Sequence, residues 1–223
     1  MTGQDAWRLA LRPVRPIGTV ATTMLFGSCA ANLFATWTDW HRYQVVTDYV
    51  VGEPGVGLAD LVSADNLAMG AAWLTFLALV ATAMVFLTWL WRARENAERL
   101  CRARHRRSRG WTTGAWFVPG VNLVFPYQVV DDIWRTSRPG VPEDTYSVEE
   151  LPQSTLVRAW WSALLANVVV SFLLLAETGD EMTIAALKAT AFYGTVSTGL
   201  LLVAAILLSQ VIRQITHWQS TPR

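Results

Sequence analysis

Long apolar runs separated by polar stretches dominate the pattern of hydrophobic and polar positions along the chain. Four runs reach the roughly 20 residues that an α-helix needs to cross a hydrocarbon core of about 30 Å. They cover residues 17–37, 67–91, 156–176 and 185–212. None alternates like a strand, and only helices or closed barrels satisfy every backbone group in lipid. The pattern therefore predicts an all-α membrane protein with four transmembrane helices.

The remaining stretches are polar, basic or broken by proline, and each receives a predicted position relative to the membrane. They comprise a cytoplasmic N-terminus (1–16), an acidic outer loop (38–66), an Arg-rich cytoplasmic stretch (92–110), an interfacial or re-entrant segment (111–135), a cytoplasmic loop (136–155), an outer turn (177–184) and a cytoplasmic C-terminus (213–223).

Residues 111–135 are apolar enough to raise the question of a fifth span. Pro119 and Pro126 each remove a backbone donor and disfavour a continuous helix there. With four spans and the N-terminus inside, 16 of the 18 basic residues lie on the cytoplasmic side, whereas five spans give a 12:6 division. Because basic residues concentrate on the inner side, the count favours four spans and a multi-pass inner-membrane protein with both termini cytoplasmic.

The second half of this segment has the pattern of an amphipathic helix that begins at Pro126. Apolar positions such as Tyr127 and Trp134 share one face, and Asp131, Asp132 and Arg135 share the other. The pattern is compatible with docking on lipid or on the helix bundle, and it does not separate these two alternatives.

Composition agrees with a membrane protein. The chain is 52% hydrophobic and only 16% charged, with 12 tryptophans, many at the ends of apolar runs. Apart from Lys188 near an outer end, no ionisable residue lies within a predicted span, which argues against a coupled transporter or pump. The two cysteines fall at different predicted depths, so free thiols are expected.

The runs "FLTWLWRARENAERL" and "GWTTGAWFVPGVNLVFPYQVVDDIW" resemble a family of actinobacterial membrane proteins, domain of unknown function 4328, over roughly residues 86–135. The positions that carry the resemblance are Trp89, Arg92, Arg94, Asn96, Gly110, Trp111, Trp116, Phe117, Pro119, Asn122, Pro126, Ile133 and Trp134. The resemblance implies a polytopic inner-membrane protein with this cytoplasmic element, and it implies no activity.

Two sets of residues are candidates for binding. The first is a basic cluster that would attract anionic headgroups of the inner leaflet or an acidic protein partner: Arg92, Arg94, Arg99, Arg102, Arg104, Arg106, Arg107 and Arg109. The second comprises the motif residues that would line a pocket under the bundle or support its broken backbone: Asn96, Trp111, Trp116, Phe117, Pro119, Asn122, Pro126, Tyr127 and Trp134.

No catalytic constellation is visible, and no cofactor or metal is expected. Cys101 and His105 are spaced i,i+4, but the surrounding arginines would repel a cation. If the protein were an enzyme, Asp131 and Asp132 would be the first carboxylates to test. Nucleic acid is not an expected partner, because clustered Arg without a recognised fold is weak evidence.

These observations leave two hypotheses. The first is a non-enzymatic interaction or scaffold module with a basic cytoplasmic face. The alternative is a protein that binds or handles lipids or hydrophobic small molecules, with a pocket lined by Trp116, Phe117, Asn122 and Tyr127. Stripes of small residues in the first and fourth runs fit packing within one bundle or a homo-oligomer face.

Overall fold

The structure of the protein, a computed structural model, describes residues 11–178 and 183–221. Four long helices dominate it: α1 (Arg15–Val51), α2 (Leu58–Leu100), α5 (Thr155–Thr178) and α6 (Ile184–Ser220). Two shorter helices lie between α2 and α5: α3 (Trp111–Gly114) and α4 (Phe125–Ser137). Single 3₁₀ turns occupy Val121–Leu123 and Val148–Glu150, and the described residues contain no strand beyond an isolated bridge. The predicted all-α fold is confirmed.

Each of the four long helices is apolar and long enough to span a membrane. Three are longer than a span requires: α2, with 43 residues, measures about 64 Å at 1.5 Å per residue. Its last nine residues follow the predicted second span and carry Arg92, Arg94 and Asn96. The termini at 1–10 and 222–223, and residues 179–182 of the predicted outer turn, lie outside the described residues.

The chain divides into two compact units, and the first is formed by residues 1–23, 82–162 and 206–223. Its buried interior brings the end of α2 against α4, the start of α5 and the end of α6. The largest fully buried side chains there include Trp89, Leu90, Ile133, Trp160 and Ile212. Burying side chains of this size stabilises the unit by roughly 1.5–3 kcal/mol each.

Hydrogen bonds of polar side chains also connect the helices of the first unit. The indole of Trp89 donates to Thr216 over 3.1 Å, and the indole of Trp134 donates to Gln214 over 2.9 Å. The Gln219 amide donates to the Ala93 carbonyl over 2.9 Å. Because these contacts join α2 and α4 to α6, they fix the positions of the elements that carry the candidate residues.

The second unit comprises residues 24–81 and 163–205, and its surface is mainly apolar. Large hydrophobic side chains such as Leu77, Phe172 and Phe192 are more than half exposed, as expected of surfaces that face lipid. Hydrogen bonds between helices hold it, such as Ser197 to Asn167 over 2.6 Å. In the small-residue stripes, the Ala31 carbonyl accepts from Thr75 of α2, and Thr195 accepts from Trp40 of α1.

Candidate functional site

The Arg-rich segment, residues 101–110, is folded rather than extended into solvent. Helix α2 ends at Leu100, and a continued helix would place Arg102 and Arg106 one turn apart as a repelling pair. Instead, the backbone of Arg104 forms an isolated parallel bridge with Ser147: its amide donates to the Tyr146 carbonyl over 2.9 Å, and its carbonyl accepts from Val148. Chain 143–148 therefore holds the segment beside α4.

Helix α4 supplies a buried acidic anchor for this segment. Asp132 accepts from both the backbone amide and the guanidinium of Arg106, over 2.8 and 2.6 Å. Asp131 pairs with Arg106 and with Arg135, over 2.8 and 2.6 Å, and also accepts from the Ser154 amide. Both carboxylates are fully buried. A buried ion pair with several hydrogen bonds fixes the positions of its side chains, and removing one member would leave the other as an unpaired buried charge.

The polar face of α4, opposite its apolar side, packs against protein rather than solvent. Asp131, Asp132 and Arg135 pack into protein, so both faces of the helix are largely covered. Burial raises the pKa of Asp132, and the Arg106 guanidinium opposes that effect. Burial also disfavours the Arg106 cation, but its two carboxylate partners prevail and raise the pKa of Arg106.

A second ion-pair set joins the segment to α2. Arg94 donates through Nε to Glu98 over 2.7 Å and through Nη2 to the Arg107 carbonyl over 2.9 Å. The other carboxylate oxygen of Glu98 accepts from Arg109. Burial alone would raise the pKa of Glu98, but the hydrogen bonds from Arg109 and Arg94 outweigh it and lower that pKa.

Between these anchors lies a cavity of about 390 Å³. Its charged lining consists of one glutamate and six arginines: Glu98, Arg94, Arg102, Arg104, Arg106, Arg107 and Arg109. Cys101, His105 and Ser108 also line it. No carboxylate in the described ranges forms an ion pair with Arg102 or Arg104. The cavity is therefore strongly positive, and its shape is fixed by the anchors on α2 and α4.

Among the residues that the structure describes, two buried side chains at the cavity have polar atoms without partners. The Arg94 side chain is 3% exposed, and its Nη1 has no hydrogen-bond partner. His105 is 4% exposed, and neither ring nitrogen has one. Burial, with further contributions from the Arg94 and Arg106 cations, lowers the pKa of His105 to about 3, so the imidazole is neutral at pH 7. Unpaired buried donors are uncommon in folded proteins.

The other predicted residues of the basic cluster occupy different places. Arg92 donates to the Pro13 carbonyl at the N-terminal segment. Arg99 is exposed on the last turn of α2 and is not among the residues that line the cavity. The guanidinium of Arg107 also stacks 3.6 Å above the Phe125 ring and donates to Gln128. The structure thus brings together six of the eight predicted arginines.

The predicted motif residues are dispersed. Asn96 is fully buried and binds the backbone amide and carbonyl of Arg12, over 2.8 and 2.9 Å. Trp116 packs among Phe86, Trp160 and Trp161. The side chains named for an apolar pocket diverge, with Phe117 71% exposed and Asn122 exposed.

Backbone positions in this motif shape the turn before α4. Pro119 precedes Gly120, whose φ of 77° is a left-handed conformation that favours glycine. The turn leads through the 3₁₀ element into α4, where Pro126 occupies the first turn. Trp111, on α3, meets the Phe125 ring edge to face at 5.0 Å, and Tyr127 is half-buried.

The sequence pattern did not indicate a role for His105 or the pairing of Arg106 with the carboxylates of α4. Nothing local marks either feature: Arg106 and Asp132 are 26 positions apart, and His105 is surrounded by positive charge in the sequence. The adjacent carboxylates on a predicted amphipathic helix were the available signal, because a buried acidic pair requires cations nearby.

Four helices that are apolar and long enough to cross a membrane define the class of a multi-pass membrane protein. A family model described as "Domain of unknown function (DUF4328)" matches residues 54–217, and the chain belongs to this family. The resemblance seen in the sequence is thereby confirmed. No curated protein and no solved structure matches the chain.

Proposed function

We propose that the protein is a non-enzymatic interaction module of the cytoplasmic membrane, which binds an anionic partner at the Arg-lined cavity. One observation carries the proposal: six arginines and a single glutamate line one cavity, with a buried Arg94 donor left without a partner. A partly enclosed positive cavity lowers the dielectric around bound charge and strengthens its attraction to an anion.

The orientation in this proposal is cytoplasmic. Sixteen of the 18 basic residues fall on the inner side when four helices span the membrane and both termini lie inside. The cavity then faces the inner leaflet and the cytoplasm, where anionic headgroups and acidic proteins are available.

The contacts of the buried carboxylates also support a binding role. Asp131 and Asp132 are held by Arg106 and Arg135, so neither is poised to exchange a proton with a substrate. These carboxylates instead hold the Arg-rich segment in place, which is what a fixed binding surface requires.

The test compares two double variants of the full chain purified in a neutral detergent. Arg102→Gln with Arg104→Gln removes two cavity charges, whereas Arg158→Gln with Arg213→Gln removes two exposed charges elsewhere in the same unit. The probe is a fluorescein-labelled peptide of ten glutamates, followed by fluorescence anisotropy. Two partly exposed ion pairs are together worth about 1–2 kcal/mol, so the first variant is expected to bind about tenfold more weakly.

The control variant is expected to bind like the wild type, and the wild-type affinity is expected to fall as salt rises. Equal affinities for the two double variants would refute the proposal, because they would show that net charge, rather than the cavity, attracts the peptide.

A second candidate function, the handling of an anionic lipid, is favoured by one further observation. Between α3 and α4, the apolar side chains of Phe117, Val118, Leu123 and Val124 are 40–71% exposed. They directly precede Phe125, which supports Arg107 of the cavity. Acyl chains on this ridge would bring a headgroup near the cavity, and phospholipid analysis of the purified protein tests for a retained anionic lipid.

A further inference from the structure

We propose that Arg94 and His105 form the recognition site of this cavity for a phosphoryl group that carries a P–OH. This proposal deepens the proposed function, on which it rests, by naming the class of anion. The group is a phosphomonoester headgroup of a lipid or a free phosphate, since both present the same tetrahedral, oxygen-rich end.

The argument begins with unused donors. Of the nitrogens in the Arg94 guanidinium, Nε and Nη2 are engaged by Glu98 and by the Arg107 carbonyl, which fixes the plane of the group. Nη1 has no partner within residues 11–178 and 183–221, although the side chain is 97% buried. A buried unsatisfied donor costs roughly 1–3 kcal/mol. A ligand oxygen at Nη1 would recover that energy.

His105 contributes a donor and an acceptor. Its nearest carboxylate atom, Asp132 Oδ2, lies 4.0 Å from Nδ1, beyond hydrogen-bond distance, and Asp132 is engaged by Arg106. Because the imidazole is neutral at pH 7, one ring nitrogen carries a proton and the other an open lone pair. The site therefore offers a partner with both an accepting oxygen and a hydroxyl.

This combination selects among anions. A carboxylate has two oxygens and no hydroxyl, and a sulfate or a phosphodiester has tetrahedral oxygens but no hydroxyl. Inorganic phosphate near pH 7 always carries a P–OH beside its negatively charged oxygens, and a monoester carries one in its monoanion, which is roughly a tenth of the free monoester at that pH. Phosphate is thus expected to satisfy both side chains, whereas the other anions leave the imidazole lone pair unpaired.

The charges around the site agree with an anionic ligand. Glu98 is the one carboxylate among the lining residues, and both of its oxygens are already bound by Arg94 and Arg109. Asp131 and Asp132 on α4 are neutralised by Arg106 and Arg135. The lining cations without a carboxylate partner, Arg102, Arg104 and Arg107, remain to balance the ligand.

The experiment is isothermal titration calorimetry on the delipidated full chain in a neutral detergent at pH 7 and constant ionic strength. Inorganic phosphate is compared with sulfate and acetate. Dihexanoyl phosphatidic acid, a monoester, is compared with dihexanoyl phosphatidylglycerol, a diester. The variant is His105→Phe, which preserves a buried ring and breaks no hydrogen bond, because the imidazole makes none.

Wild-type protein is expected to bind phosphate at least about tenfold more tightly than sulfate or acetate, and the monoester lipid more tightly than the diester, since one hydrogen bond is worth about a factor of ten. His105→Phe is expected to lose this preference while its folding, followed by tryptophan fluorescence, is retained. A headgroup is the source if phosphatidic acid binds about tenfold more tightly than inorganic phosphate, and otherwise free phosphate suffices.

Equal binding of phosphate and sulfate by the wild type, or an unchanged preference in His105→Phe, would overturn the inference. These failures differ from failure of the proposed function. If glutamate-peptide binding depends on Arg102 and Arg104 without any phosphate preference, only this inference falls. If phosphate binds selectively while the two double variants bind the peptide equally, the broader proposal falls.

Discussion

Protonation of His105 should open the Arg-rich segment. Its pKa in the folded protein is about 3, against about 6.5 in an unfolded chain. Because the pKa of His105 is lower in the folded protein, the closed segment has its full stability above pH 6.5, where the imidazole is neutral in both states. This stability is lost as pH falls from 6.5 toward 3. Acidification from pH 7.5 to 5.0 lies within this window.

The magnitude follows from the two pKa values. At pH 5.0 an exposed imidazole is mostly protonated, whereas the buried one remains neutral, so the opened form gains about 30-fold in population relative to pH 7.5. This corresponds to about 2 kcal/mol. The charged groups that face His105 are Arg94 and Glu98 on α2, Arg106 on its own segment and Asp132 on α4.

Thiol labelling measures this opening, because Cys101 lies in the same segment and is 1% exposed. With Cys29→Ala, the rate of reaction with 4,4′-dithiodipyridine is divided by the rate for the denatured chain at each pH. When reclosing is fast, this ratio is the opening constant. We expect about a 30-fold rise for the wild type and less than about threefold for His105→Phe, which retains the other titrating groups. The same rise in both proteins would refute the reasoning.

Three further predictions concern the anchors and the packing, each checked on the purified protein. Asp131→Asn should lower the free energy of unfolding by about 3–5 kcal/mol, because it leaves buried cations unpaired. Asp65→Asn, at an exposed pair, should lower it by less than about 1 kcal/mol, and thermal melting compares the two. Gly18→Ala places a Cβ 2.8 Å from a threonine hydroxyl and should lower the free energy of unfolding by about 1–3 kcal/mol. Gly27→Ala, whose Cβ would have nothing within 4 Å, should not destabilise the protein. Asn96→Ala should speed hydrogen exchange about tenfold at the N-terminal amide that it holds.

Hydrophobic length and the distribution of arginine were sufficient to predict the architecture. Runs of this length have few alternatives to helix, and the two prolines in residues 111–135 exclude a long continuous helix. The structure has α3, a 3₁₀ turn and the 13-residue α4 in that segment. The ends of α2 and α6 extend past the apolar runs because packing in the first unit stabilises turns that hydropathy alone does not mark. The end of α1 and the start of α2 also extend into the predicted outer loop.

The site was harder to predict, because its geometry depends on pairs far apart in the chain. The sequence presents Arg106 and Asp132 as charges on separate surface elements, and burial changes what both do. Likewise, the arginines around His105 in the sequence suggest only repulsion of a bound cation. In the fold, the His105 ring is enclosed and neutral, and it has no hydrogen-bond partner among the described residues. Asn96 was predicted to satisfy or cap backbone, and it does bind backbone, but at Arg12, which sequence spacing does not indicate.

We propose that the folded arginine cavity of this four-span membrane protein faces the cytoplasm. Single cysteines at Asp48, Glu143 and Ser220, in a chain with Cys29→Ala and Cys101→Ala, test it through labelling of intact cells by an impermeant maleimide. All three positions are exposed in the structure. We predict that Asp48→Cys alone reacts before lysis and that all three react after it. Labelling of Glu143→Cys in intact cells would place the chain that holds the Arg-rich segment outside, and would contradict the account.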